Sequence, residues 1–139
     1  MLMSRFQKII LGLSGFTAFA IGSFITLAPI AFYAGYGITL DNDPDLLNEL
    51  RGPGANLAAL GAVVVAGLFI NSLAKTSVAI ALIIFLAFPV GRVIGMIADG
   101  IPSEGVLAAL AVEIVLGALL LAAFGKRSGG NTIAKPASA

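Results

Sequence analysis

Four long apolar runs take up most of this chain, and charge is nearly excluded from them. That pattern constrains the fold more than any local motif, because a run of about 20 apolar residues is the length of one membrane crossing. Of the 139 residues, 59% are hydrophobic and 11% are charged, against roughly 25% charge in a soluble domain. The chain has room for four crossings and short connections, and no separate soluble domain fits. The expected architecture is all-α: a four-helix transmembrane bundle, up-down-up-down, occupying residues 1–125. A flexible tail over 126–139 should follow, rich in Gly, Ser, Ala and Lys.

The spans read as about 9–31, 55–73, 77–98 and 104–124. A signal peptide competes for the first, since Ala18-Phe19-Ala20 resembles a cleavage site after a basic start, but the apolar run continues past it to Ile30. Pro29 falls near the end of that span, and Tyr33 and Tyr36 follow as interfacial aromatics. Asp43-Pro44 reads as an N-cap with proline at the first helical position, opening a helix that leads toward the second span. Gly52-Pro53-Gly54 reads as a break or kink in it. A short turn over 71–76 makes the second and third spans an antiparallel hairpin. Pro89 interrupts the third span's hydrogen bonding at the carbonyl of Phe85, and Ser103 is the N-cap expected for the fourth span.

Charge sets the orientation. The N-terminus, second connection and C-terminus carry Arg5, Lys8, Lys75, Lys126, Arg127 and Lys135 and no acid. The first and third connections carry Asp41, Asp43, Asp45, Glu49, Asp99 and Glu104. Basic segments stay in the cytoplasm, so both termini are expected there.

The absences narrow the chemistry. With no Cys, His or Trp, the sequence offers no disulfide, no thiolate or imidazole for a metal or haem, and no Cys–His or Ser–His pair. No cofactor, metal or catalytic residue is expected. A net charge of +1 gives no field to attract nucleic acid. Asp41-Asn42-Asp43-Pro44-Asp45 superficially resembles a calcium loop, but Leu46 stands where that loop needs Gly and Gly52 where it needs a bidentate Glu.

One acid stands out. Glu113 lies about nine residues inside the fourth span, roughly 13 Å deep, where a carboxylate costs roughly 2.5–3.5 kcal/mol. Gly105, Ala109 and Gly117 share its face, which marks it as the face another helix approaches. Arg92 lies about six residues inside the third span from the same side, at roughly 9 Å. Gly91 and Gly95 form a G-x-x-x-G pattern beside it, again suggesting close helix approach. An Arg92–Glu113 ion pair is therefore expected. Glu49, Arg51, Asn56 and Asp99 would complete a polar ring at the outer end of the bundle.

Such a cluster has a plain reading as a clamp between helices. The ligand reading is a recess that holds the head of a lipid, quinone or other amphiphile while apolar walls hold its tail. A proton carrier is disfavoured, because no second acid, His or Lys lies deep enough to form a relay. The leading expectation is an accessory or scaffold subunit that packs against lipid, another membrane protein or a second copy, with the amphiphile binder as the alternative.

The run Glu49-Leu50-Arg51-Gly52, then Arg92, then Asp99-Gly100-Ile101-Pro102-Ser103, then the lone Glu113, resembles the DUF4345 family of small bacterial four-span membrane proteins. The resemblance covers the chain up to Phe124 and carries no established activity. It implies the bacterial inner membrane as the location; the Gly52-Pro53-Gly54 stretch departs from the more continuous helix of that family.

Overall fold

The structure, a computed structural model, describes residues 2–125. The described residues form five helices: α1 (Arg5–Leu27), α2 (Pro29–Ala34), α3 (Pro44–Ala66), α4 (Ala74–Asp99) and α5 (Glu104–Phe124). Of these, α1, α4 and α5 are each long and apolar enough to cross a membrane. The tail expected to be flexible, 126–139, lies outside the described residues.

α1 opens on a capping box. Ser4 Oγ accepts from the Gln7 backbone N–H (3.2 Å), and Gln7 Oε1 accepts from the Ser4 N–H (2.9 Å). Gln7 also reaches across the bundle, where its Nε2 donates to the carbonyl of Ala123 at 2.7 Å and ties the start of α1 to the end of α5. The first apolar run is not one helix. α1 stops at Leu27, Ala28 leaves the helical region (φ −141°, ψ 62°), and α2 starts at Pro29. The proline ring disfavours helical geometry in the residue before it, which breaks the span expected over 9–31 at Ala28.

α3 begins as the sequence predicts, with Asp43 as N-cap, its carboxylate accepting from the Asp45 N–H at 3.0 Å, and Pro44 in the first turn. It then runs through Gly52-Pro53-Gly54, where a break or kink was expected. Pro53 leaves the carbonyl of Glu49 without its helical donor, but both residues are exposed, so solvent can satisfy it. α3 ends at Ala66, ahead of the expected end of the second span. Ser77 of α4 packs against this end of the helix. Its buried hydroxyl donates to the carbonyl of Val63 at 2.8 Å, and its side chain fills the place where Gly67 would carry a Cβ.

Two close helix pairs make up the bundle. In the first, α1 and α3 run antiparallel with glycine on both sides of the seam. A side chain on Gly22 would begin 2.6 Å from the carbonyl oxygen of Gly54, and one on Gly61 would begin 2.8 Å from that of Gly15. Backbone cannot retreat as a side chain can, so only glycine permits this approach. In the second, α4 and α5 form a hairpin closed at Gly117, where a Cβ would lie 2.8 Å from the carbonyl oxygen of Phe85. Leu11, Ala18, Val64, Ala81, Phe85 and Leu120 are buried between the pairs.

Candidate functional site

Arg92 and Glu113 meet across the α4–α5 hairpin in a two-point contact. Nε donates to Oε2 and Nη2 donates to Oε1, both at 2.8 Å. The planar fork of the guanidinium matches the carboxylate, which makes this the strongest form of such a pair. The side chains keep 26% and 14% of their surface exposed. That remaining exposure faces a cavity of about 730 Å³, lined by both residues.

The cavity lies where the two helix pairs join. α1 supplies Thr17, Ala18, Ile21 and Ile25; α4 supplies Ile84, Phe85, Phe88 and Gly91; α5 supplies Gly105, Ala109 and Val112. α3 adds Leu57. The break at Ala28 gives the cavity its outer wall, because it lets α2 and the following turn fold over the opening. Phe32 stacks edge-on against both Tyr33 (5.2 Å) and Tyr36 (5.1 Å), and all three line the cavity. The turn is fixed to α5 by Ser103, whose Oγ donates to the carbonyl of Tyr36 at 2.8 Å. Ser103 does occupy the N-cap position, but its hydroxyl is committed to this tether and makes no capping bond.

Burial holds the Tyr33 phenol above its ordinary value of about 10, and neighbouring Tyr36 pushes the same way. The Arg92 guanidinium opposes them.

The other members of the expected polar ring are elsewhere. Arg51 is exposed and donates through Nη1 to the carbonyl of Thr26 at 2.8 Å, an α3-to-α1 tie away from the cavity. Glu49, Asn56 and Asp99 are exposed, and among the described residues their side chains join neither one another nor the Arg92–Glu113 pair. Equal depth along the helices does not bring them together: α3 packs on α1 with Glu49 and Asn56 exposed, and Asp99 is exposed at the end of α4. Gly91 and Gly95 also depart from expectation. No atom lies within 4 Å of a Cβ added at either, so the G-x-x-x-G pattern is not a packing seam within the chain. At Gly91 the missing side chain leaves room that belongs to the cavity.

Tyr33 and Tyr36 read from the sequence as ordinary interfacial aromatics, and Phe32 carries no signal of its own. The signal that could have found them is Pro29, which forces the chain to turn before it reaches them. Among the described residues no group of three or more His, Cys, Asp or Glu side chains could hold a metal ion.

The order of these features along the chain coincides with a family model, a domain of unknown function, that matches residues 6–124. The chain belongs to the DUF4345 family. The match takes in every helix described above, so the α1–α3 pair, the α4–α5 hairpin and the cavity between them all lie inside the DUF4345 domain. Comparison with curated proteins and with solved structures gives no match.

Proposed function

We propose that this DUF4345 chain is a four-span membrane protein that binds an amphiphile in the cavity beside Arg92 and Glu113. One observation carries the reading: a cavity of about 730 Å³, within the range of small-molecule sites, has apolar walls and a single fixed polar pair. A clamp between helices needs the ion pair but does not need the space next to it.

The fourth crossing is α3. Its apolar part, Gly52–Ala66, is shorter than the ~20 residues of a standard span. However, α3 lies antiparallel along α1 from Gly54 beside Ile25 to Val64 beside Gly15, so it crosses if α1 crosses. Basic residues at Arg5, Lys8 and Lys75 put the start of α1 and the α3–α4 turn in the cytoplasm. The bacterial inner membrane suits this orientation and the family.

An accessory-subunit role is the second reading, favoured by the open face at Gly95. A native mass spectrum of protein extracted in mild detergent separates the two. The binding reading expects a small-molecule adduct on the wild-type chain that is lost in Gly91→Leu, where the new side chain takes up cavity space. A stoichiometric protein partner, with no adduct, would favour the accessory role instead.

A further inference from the structure

The hydrogen-bonding capacity left over at the cavity defines what kind of head group it can accept. Arg92 has five N–H donors, of which its contact with Glu113 uses two. Among the described residues the other three have no partner, and neither do the hydroxyls of Tyr33 and Tyr36. All three side chains line the cavity. The site therefore presents a surplus of donors. Its net charge is nevertheless zero, because Glu113 already holds the guanidinium in a complete two-point contact. Among the described residues no other base lines the cavity; Arg51 is bonded to Thr26 outside it.

These two properties select against an anion. A phosphate or carboxylate that displaced Glu113 from Arg92 would leave one carboxylate unpaired between apolar walls. Adding the anion without displacement would put a net negative charge in the same place. Either outcome is costly where water is scarce. An uncharged carbonyl oxygen has neither problem: it accepts from the spare N–H and O–H donors and leaves the ion pair intact. The walls on either side, from Ile84 and Phe85 to Ile21 and Ile25, suit an apolar remainder.

We infer that the ligand is an uncharged, carbonyl-bearing apolar molecule, with the quinone ring and the acylglycerol ester as the two chemical sources, and that the site discriminates against anionic lipid. The inference rests on the reading of the cavity as a binding site and adds its selectivity.

Three probes test it on the full chain in mild detergent: a short-tailed benzoquinone, dioctanoylglycerol and dioctanoylphosphatidylglycerol. Native mass spectra give the bound fraction of each. The chain has two Tyr and no Trp, so its intrinsic emission comes from Tyr33 and Tyr36 alone, and quenching by the quinone reports on the cavity. At least one uncharged probe should bind about tenfold or more tightly than the phospholipid. Which one does so identifies the source. Glu113→Gln, which leaves the guanidinium unpaired, should reverse the order in favour of the phospholipid. If that variant fails to accumulate, the wild-type ranking decides alone. Phosphatidylglycerol binding as tightly as the uncharged probes would overturn the selectivity while leaving the cavity a binding site. No binding of any probe, with Gly91→Leu indistinguishable from wild type, would overturn both.

Discussion

The carbonyl oxygen of Phe85 lies 2.8 Å from where a side chain on Gly117 would begin. That carbonyl is the one Pro89 cannot bond, since proline at the fourth position beyond it has no N–H. The α4–α5 hairpin thus places the bare backbone of one helix against the unsatisfied carbonyl of the other, a setting suited to a weak Cα–H···O contact. Gly117→Ala should destabilise the protein by about 1–3 kcal/mol, the usual range for overpacking against groups that cannot yield. Gly52→Ala serves as control, because nothing lies within 4 Å of its added methyl and the change should be neutral or slightly stabilising. Thermal unfolding in detergent measures both.

Removing one half of the ion pair should cost more than removing both. Breaking a fully buried pair costs ~3–5 kcal/mol, and the 26% exposure of Arg92 lowers the expectation here to about 2–4 kcal/mol for Glu113→Leu. The double change Arg92→Met with Glu113→Leu should recover most of this loss. If the double variant binds ligand as the wild type does, the pair plays no part in recognition.

The absence of cysteine makes topology directly measurable, since single cysteines can be introduced without background. Ser4→Cys and Lys75→Cys should react with a membrane-impermeant thiol reagent only from the cytoplasmic face. Thr39→Cys should react only from the opposite face. Labelling of Ser4→Cys and Lys75→Cys from different faces would mean that α1 and α3 do not both cross.

Tyr33 supplies a pH dependence. Its phenol is raised by burial first and by Tyr36 second, so the folded chain favours the neutral form. The stabilising contribution is complete below the ordinary value of about 10 and is lost as pH rises through the raised one. In Tyr36→Phe a single phenol remains, and its ultraviolet titration should still fall above that ordinary value, though less far than in the wild type. Removing Arg92, which opposes the shift, should move the midpoint higher still. A midpoint at or below the ordinary value would place Tyr33 in water.

What the sequence conveyed well was anything set by pattern and depth. The apolar runs located α1, α4 and α5, and Asp43-Pro44 marked the first turn of α3. Counting residues inward from the acidic turn put Arg92 and Glu113 at compatible heights. It failed where rotation about a helix axis decides the outcome. Glu49, Asn56 and Asp99 have suitable heights and face outward, and Gly91 and Gly95 look like a seam but adjoin open space. Rotation depends on which helix packs on which, and the tight α1–α3 contact at Gly22 and Gly61 settles that question through atoms distant in the chain. The contact of Ser77 with Val63 and Gly67 is invisible to sequence reasoning for the same reason.

The junction between the two helix pairs has a consequence for how the chamber could be filled. Each pair is fastened internally by backbone approaching backbone, at Gly22 and Gly61 in one and at Gly117 in the other. Between them the side-chain hydrogen bonds lie toward the ends: Gln7 to Ala123 and Ser77 to Val63 at one, Ser103 to Tyr36 at the other. The molecule is built like a book whose covers are each stiff. A change in the angle between the covers widens or narrows the chamber while sparing the contacts at Gly22, Gly61 and Gly117. A bulky guest could then arrive sideways from the bilayer without any helix having to melt.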